Sequence, residues 1–586
     1  MDNRYLLAAI NAKYTHSNLA VRYLKAFCRD LNADISLLEL SINDSFSSIL
    51  SSIYNANANI IAFSCYIWNI ELVLKLCSSI KKVLPECIII LGGPEVSYDS
   101  KELLEKHSYI DYIVIGEGEL AFRELVQQLN SSEKKLPAID GVCSRANKGI
   151  RHSKPAKAID SLDIIPFAYE DFMELKNKII YYETSRGCPF NCQYCLSSTM
   201  EGVRFFSMER VKADIDIMIK NQVSQVKLVD RTFNCSSKRS IEIMQYIIGK
   251  NAKTNFHFEV AADLIDDTFL EVVRKAPQGM FQFEIGVQST NPDTLSEIRR
   301  KMNFERVRSN VEELLKIGNA HIHLDLIAGL PYEGIDSFKK SFNAVIDLGP
   351  QMLQLGFLKL LKGSGIRERA SEYEVKYNEH PPYEVLSTKW MSYPDLLLLK
   401  NMEKLLETFY NSGVYARTIK LIKSYYNNDL FEFFREFTEY CNSREYFTAP
   451  RSAASNCSVL YSFMLNKYSS SDSRISIFNE SVKFDWISNN GNSIVPDMIK
   501  RYDYTDIRDI IHTYIKASSS VHEFYLKHGY TDLKNLLKQI YYEIFFIDIT
   551  DTLKDGAQIV FFIKNPAKDE KSFISMSLKE LLNASK

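Results

Sequence analysis

The chain of 586 residues is 46% hydrophobic and 25% charged, and 71 basic against 73 acidic side chains leave a net charge of −2. That length points to about three or four domains and that composition to globular structure, which excludes disordered and collagen-like chains. The balanced charge gives no global basic field for nucleic acid or anionic lipid, no run of about 18 apolar residues is present, and Met1–Arg4 is polar rather than signal-like. A soluble, cytoplasmic protein without membrane contact is the expectation.

From its start the chain alternates short apolar runs with amphipathic stretches. Tyr5–Ile10, Ile35–Leu40, Ile60–Tyr66, Cys87–Leu91 and Tyr112–Ile115 have the pattern of five buried strands, with helical segments such as Leu19–Leu31 and Ile70–Leu84 between them. This alternation predicts a doubly wound, Rossmann-like parallel sheet of five strands over residues 1–130. Residues 131–175 are rich in Lys, Ser and Pro and are expected to be a connector with a small hairpin. A second series follows: Ile179–Glu183, Gln225–Asp230, Asn255–Val260, Phe281–Val287, His321–Ile327 and Met352–Leu358, separated by helical stretches such as Met208–Asn221, Ser240–Ile248 and Phe304–Ile317. Six βα units are too few for a closed eight-fold barrel, so a partial (β/α)6 barrel over 176–370 is predicted. Beyond it, residues 371–586 form a mixed, α-rich domain. Asp395–Asn411 is an apolar helix stopped by Gly413, Lys467–Arg474 a loop, Ile475–Trp486 and Gln558–Ile563 strands, and Asp532–Ile547 a helix.

Eleven cysteines are scattered along the chain, an odd number that does not suit a disulfide scaffold. Three of them are crowded into Gly187-Cys188-Pro189-Phe190-Asn191-Cys192-Gln193-Tyr194-Cys195, directly after the first barrel strand, at the end where barrel active sites lie. Three thiolates on one loop can hold three irons of a cubane cluster and leave the fourth open. Zinc is the other soft-metal reading, but it wants a fourth ligand and none is nearby in sequence.

Cys-x3-Cys-x2-Cys with an aromatic residue before the last Cys resembles the signature of the radical S-adenosylmethionine (SAM) enzymes. The resemblance implies a 4Fe–4S cluster on Cys188, Cys192 and Cys195, SAM chelated to the free iron, and cleavage of SAM to a deoxyadenosyl radical. It implies that Tyr194 belongs to the cluster loop and that Asp230, in Asp230-Arg231-Thr232-Phe233-Asn234, lies where the family binds the SAM amino group. Glu259, with Asp263 nearby, ends the third strand, Gln288-Ser289 the fourth, and Gly329, in Leu326-Ile327-Ala328-Gly329-Leu330-Pro331, lies along adenine. Lys362-Gly363-Ser364-Gly365 closes the sixth unit. The family's Gly-Gly-Glu form after the second strand is absent. Taken singly, an Asp or Gln-Ser at a strand end is more often a helix cap than a ligand; their common position at one end of consecutive strands argues for a site.

In the amino-terminal sheet, Ser64 ends the third strand, Gly92-Gly93-Pro94-Glu95 the fourth and Gly116-Glu117-Gly118 the fifth. The Gly116–Ala121 run formally matches a dinucleotide fingerprint, but it follows the fifth strand rather than the first and carries carboxylates where a pyrophosphate would sit. Glycines at adjacent strand ends suggest backbone close to a large, flat ligand. Joined to a radical SAM barrel, the sheet resembles the cobalamin-binding domain of cobalamin-dependent radical SAM enzymes, and these loops are then expected to cradle the corrin. The Asp-x-His-x-x-Gly motif that supplies a lower cobalt ligand in mutases is missing, which leaves Asn11, Tyr14, His16, Asn18, Tyr66 and Trp68 to lie beneath the ring. A sheet kept only for packing is the bland alternative.

The resemblance implies an anaerobic enzyme, first a methyltransferase acting on an unactivated carbon of a small-molecule or peptide substrate, fed by an electron donor of the flavodoxin or ferredoxin type. Cyclisation or rearrangement is a second outcome on the same architecture. A methylthiotransferase would need three further cluster cysteines, and Cys28 and Cys77 read as core, as do Cys441 and Cys457. A non-catalytic iron–sulfur or corrinoid carrier would need no SAM pocket. The carboxyl-terminal region resembles an uncharacterised domain that accompanies this class, placed to cover the substrate. No basic–aromatic stripe marks it as an RNA surface.

Overall fold

The structure is a computed structural model that describes residues 3–131, 138–146, 149–199, 202–490, 495–503, 505–527, 540–550, 555–563 and 572–583. The chain divides into two compact units, Met1–Leu396 and Leu397–Lys586.

The first unit opens with a seven-stranded sheet. Its order is Asp34–Ser41, Arg4–Asn11, Ile60–Ser64, Ile88–Gly92, Tyr112–Val114, Val142–Ala146 and Gly149–His152. The first five strands are parallel, as predicted, and the last two are antiparallel. The expected five-stranded sheet is therefore extended: the connector's hairpin adds to its edge, where Val142–Ala146 satisfies the open side of Tyr112–Val114. Arg4–Asn11 is buried along nearly its whole length because helices cover both faces. The order of strand addition reverses between Arg4–Asn11 and Ile60–Ser64, which run parallel, so the first and third loops flank the switch point where such sheets take ligands. Asn18 starts the first helix, Leu19–Phe27, by accepting from the Val21 amide at 3.2 Å.

The second sheet has six parallel strands in chain order: Ile180–Tyr182, Gln225–Leu228, Asn255–Val260, Phe281–Gln288, His321–Ala328 and Met352–Phe357. The first and last do not pair, so the barrel is partial and open on one side, as predicted. Alternation along Phe281–Gln288 sets its two faces. Phe281, Phe283, Ile285 and Val287 are buried toward the helices, while Gln282, Glu284, Gly286 and Gln288 line the interior. Helices Met208–Lys220, Asp267–Arg274 and Phe304–Ile317 are each started by a side-chain cap, from Ser207, Asp266 and Asn303.

The second unit is largely helical, with a three-stranded antiparallel sheet of Ile540–Ile547, Asp555–Ile563 and Ser572–Ser577. The Gln558–Ile563 strand is found there. Two predicted elements are corrected. Ile475–Trp486 lies in the helix Ser473–Asn490, which is buried on several sides and so lacks a polar face. Ile540–Ile547, expected to end a helix, is a strand, its partner Asp555–Ile563 supplying the pairing that local sequence does not report; Asp532–Gln539 lie outside the described residues.

Candidate functional site

The cysteine loop is built on a small hairpin. Ser185–Gly187 pairs antiparallel with Val203–Phe205, and the loop carrying Cys188, Cys192 and Cys195 hangs between them. Gly187 has φ +99°, and a Cβ there would lie 2.1 Å from the Gly202 carbonyl oxygen, so only glycine lets the two strands close. Gln193 pins the loop from inside: its amide donates to Ile298 O at 3.0 Å, its Nε2 to Glu297 O at 2.9 Å, and its own carbonyl accepts from the Ile366 amide at 3.0 Å. The middle of the loop is thus tied to the fourth and sixth barrel units at once.

All three thiols are free. The Cys188 sulfur lies 3.5 Å from Thr232 Oγ1, the Cys195 sulfur accepts from the Ser197 amide at 3.4 Å, and the Arg300 guanidinium stands 3.9 Å from the Cys192 sulfur. Burial pushes the Cys192 thiol up and the Arg300 charge pulls it back. Among the described residues no three His, Cys, Asp or Glu side chains are gathered closely enough to hold one metal ion. Three thiols presented separately on one loop suit a cubane, whose corners take one cysteine each.

Around that loop the barrel mouth carries polar atoms with no hydrogen-bond partner. They are Arg300 Nε, Gln288 Oε1 and Asp325 Oδ1. Arg300 also donates to the Gly286 carbonyl and, at 3.4 Å, to Tyr194 Oη. Gly286 makes room for this arrangement: a Cβ there would meet Gln288 Nε2 at 2.3 Å and Arg300 Nη2 at 3.4 Å. Burial, with Glu284 and Glu259 nearby, drives the Asp325 carboxyl well above the usual range, and burial raises Glu259 too. An acid, a guanidinium and an amide that each keep one unpaired atom around the cysteines fit a ligand with an ammonium, a carboxylate and hydroxyls. Deeper in the barrel a charged cluster gathers around Glu284. Lys227 and His257 each stand 2.9 Å from Glu284 Oε2; burial alone would raise that carboxyl, yet these partners hold it down at about 2. Gln282 Nε2 lies 2.9 Å from His323 Nε2.

The strand-end loops of the amino-terminal sheet dock on the barrel at three places, two of them at the mouth. The first loop meets the entry to the first barrel strand, at the end away from the mouth: Ser17 Oγ donates to Ile179 O at 2.8 Å and the Ile179 amide to Thr15 O at 2.7 Å. At the fourth, Tyr383 Oη donates to Glu95 Oε2 at 2.8 Å, Lys362 Nζ pairs with Asp99 at 2.7 Å, and Tyr98 packs into the space beside Gly363. At the fifth, Arg204 forks onto Glu117, and Arg186 pairs with Glu119 and, at 2.8 Å, with Glu183. In the third loop the rings of Tyr66 and Trp68 stack 4.4 Å apart, and Trp68 Nε1 donates to Ile10 O at 3.1 Å.

The structure thus sorts the predicted residues. Cys188, Cys192, Cys195, Tyr194 and Gln288 gather around Arg300 or the loop it touches, and Glu259 lines the same interior. Several others make contacts within the chain. Asp230 is buried and accepts from the Thr184 amide at 2.8 Å, Thr184 Oγ1 at 2.6 Å and Ser185 Oγ at 2.5 Å, so it anchors the start of the cysteine hairpin. Ser289 donates to Glu333 at 2.6 Å. Gly329 is closed off, a Cβ there lying 2.8 Å from Val385 Cγ1. Glu95 and Glu117 hold the docking contacts. Gly93, φ +110°, leaves its space to the backbone of Cys65: a Cβ there would lie 2.6 Å from the Cys65 carbonyl oxygen. Ser64 accepts from Asn18 Nδ2 at 3.3 Å, Gly92 and Pro94 complete the fourth loop, and Gly118 starts the helix Gly118–Leu129 against Leu24. Gly116, φ +73°, is the glycine of this rim with nothing within 4 Å of a Cβ. Sequence reasoning missed Gln193, Arg300 and Asp325. Asp325 was legible in the alternation His321-x-His323-x-Asp325, which sets one inward face; Arg300 sat in a basic run that looks solvated.

Three families match the chain in turn: the B12 binding domain over residues 5–126, the Radical SAM superfamily over 182–345, and a protein of unknown function family, DUF4080, over 371–562. The cobalamin-dependent radical SAM methyltransferase TokK of Streptomyces tokunonensis is 27% identical over 309 residues, 50% of this chain and 45% of that protein. The anaerobic magnesium-protoporphyrin IX monomethyl ester cyclase of Synechocystis is 30% identical over 242 residues, 39% of this chain and 47% of that protein. The chain therefore spans about half the length of these curated relatives. In fold it is similar to the cobalamin-dependent SAM radical enzyme OxsB, solved with aqua-cobalamin and SAM bound, at TM-score 0.58 and 16% identity over 84% of this chain and 85% of that one. The chain carries a B12 binding domain and a radical SAM domain in series. Its cofactors are a 4Fe–4S cluster, SAM and cobalamin. No helix among the described residues is long and apolar enough to cross a membrane.

Proposed function

We propose that the enzyme is a methyltransferase acting on an unactivated carbon of a small-molecule or peptide substrate, with Cys188, Cys192 and Cys195 as cluster ligands and an external low-potential electron donor. The observation that supports this reading is the docking of the sheet's fourth and fifth strand-end loops onto the barrel mouth, beside the cysteine hairpin. When bound, the three groups supply a one-electron donor to SAM, a deoxyadenosyl radical that abstracts hydrogen, and a cobalt-borne methyl group. The chain's own part is to position them. Arg300, Gln288, Asp325 and Glu259 offer a cation, an amide and two carboxyls to the charged and hydroxylated ends of SAM. Gly116 leaves room for the corrin edge at the rim of the sheet. Resemblance to TokK favours methylation; resemblance to the Synechocystis cyclase favours ring closure as the second outcome on the same site.

The test is co-product analysis with SAM carrying a deuterated methyl group. A methyltransferase uses SAM twice, so 5′-deoxyadenosine and S-adenosylhomocysteine appear in comparable amounts and the label enters the product. Deoxyadenosine with no adenosylhomocysteine and no label would leave a cyclase or rearrangement enzyme.

A further inference from the structure

We propose that Arg186 and Arg204 are positioning residues that set the spacing between the cobalamin bed and the cluster loop; this rests on the reading of those two beds given above. The two arginines are cross-strand partners on the cysteine hairpin, Arg204 paired with Arg186 in the antiparallel register. Both reach out of the barrel to the same turn of the sheet. Arg204 takes both carboxylate oxygens of Glu117, and Arg186 takes Glu119 while lying 3.6 Å from Glu117 and 2.8 Å from Glu183.

What makes the contact more than a domain interface is where it is attached. Glu117 is the immediate neighbour of Gly116, the rim glycine left open, and Glu119 lies in the first turn of the helix that follows. Arg186 is separated from Cys188 only by Gly187, whose conformation and lack of side chain fix the hairpin. The network thus joins the two beds through their nearest residues.

It is also built to be stiff. The Arg186, Glu119 and Glu183 side chains are 12%, 6% and 10% exposed, so salt and water screen them little. Forked arginine–carboxylate geometry holds direction as well as distance, which a point charge does not. Three carboxylates face two guanidiniums, and the Ile159 amide adds a donor to Glu117 at 3.2 Å. Burial would raise the Glu117 carboxyl, but the Arg204 hydrogen bond and the Arg186 charge bring it below its ordinary value. A docking contact elsewhere, such as Lys362 with Asp99, has no such connection to the cysteines.

Spacing matters because the two uses of SAM read it differently. Deoxyadenosine forms when one electron from the reductant enters the sulfonium, the C5′–S bond breaks to leave methionine and a deoxyadenosyl radical, and the radical takes a hydrogen atom from a C–H bond of buffer or citrate; it needs the barrel alone. Adenosylhomocysteine forms when the methyl leaves sulfur as a cation to an electron pair on reduced cobalt; it needs both beds in register. The experiment uses the full chain, loaded anaerobically with cluster and cobalamin and reduced with titanium(III) citrate, without substrate. Pulsed EPR measures the distance between the reduced cluster and cob(II)alamin, and both products released from SAM are counted. Arg204→Leu is expected to broaden the distance distribution and cut adenosylhomocysteine on the order of tenfold to a hundredfold, the effect of a misplacement of about 1 Å, with deoxyadenosine within about twofold. Exchanging the charges in Arg204→Glu/Glu117→Arg is expected to restore both. An unchanged distance distribution, or an equal fall of both products, would overturn the proposal. Should Arg204→Leu shed iron or cobalamin, Arg204→Lys answers the same question, since one ammonium cannot fork onto Glu117. If wild type releases deoxyadenosine but no adenosylhomocysteine, methyl transfer fails as the function, and the EPR distances still decide the role of the arginines.

Discussion

At the barrel mouth, Arg300, Gln288, Asp325 and the neighbouring Glu333 keep buried polar atoms without partners; at the rim of the amino-terminal sheet, Glu95, Glu117, Glu119 and Ser64 are bonded within the chain. An unmet buried donor or acceptor costs about 1–3 kcal/mol, so the mouth is costly as it stands and becomes satisfied by a charged ligand. At the rim Glu95, Glu117, Glu119 and Ser64 are bonded already, and Asp99 Oδ1 is the buried atom beside them without a partner. The mouth offers unmet hydrogen-bonding atoms, whereas the charged residues of the rim hold it in place.

The sharpest break between the regions is metal content. Replacing Cys188, Cys192 and Cys195 with Ala should remove about four iron atoms per chain while cobalamin binding survives, as read by iron analysis and visible absorption; loss of both cofactors together would deny the beds their independence. Next comes Glu333, fully buried, with Ser289 and Ser341 donating to Oε1 and nothing to Oε2. Burial raises its carboxyl from 4.5 to about 7, a shift worth about 3 kcal/mol. The folded state holds the proton, so this stabilisation is complete below pH 4.5 and is lost as pH rises through 7. Urea midpoints for Glu333→Gln should be flatter with pH across that window than those of wild type, and parallel curves would refute the assignment. Arg300→Met should weaken SAM binding to cluster-loaded protein about thirtyfold, near 2 kcal/mol for a charge-assisted contact, as measured by equilibrium dialysis; unchanged affinity would remove Arg300 from the site.

Two glycines of the rim separate shape from fold. Gly93→Ala puts a Cβ against the Cys65 backbone at a positive φ, and should lower stability by about 2 kcal/mol. Gly116→Val enters open space, costs about 1 kcal/mol through its backbone conformation, and should lower cobalamin retention instead. Melting curves alongside bound-cobalamin absorbance distinguish the two, and a Gly116→Val protein with full cobalamin would make that loop a simple turn.

Most of this fold was legible. All eleven parallel strands of the first unit fall within a few residues of the apolar runs that predict them, because strands buried on one or both faces write their periodicity into the chain. The helix Ser473–Asn490 was not legible because burial of Ser481, Lys483 and Asp485 erases the polar stripe. Asp485 is kept there by Thr418, whose amide and hydroxyl donate to it at 2.8 and 2.7 Å, a long-range pairing that no local pattern records. The cysteine loop announced itself by spacing. The residues that hold it, Gln193, Arg186 and Arg204, did not, since polar side chains in a loop look solvated until their partners far along the chain are placed.

If one chain carries two cofactor beds, each built once, metal and corrin analysis of anaerobically reconstituted wild-type protein will find about four iron atoms and one cobalamin per chain. About eight iron atoms, or a chain that binds iron and SAM but no cobalamin, would rule that arrangement out.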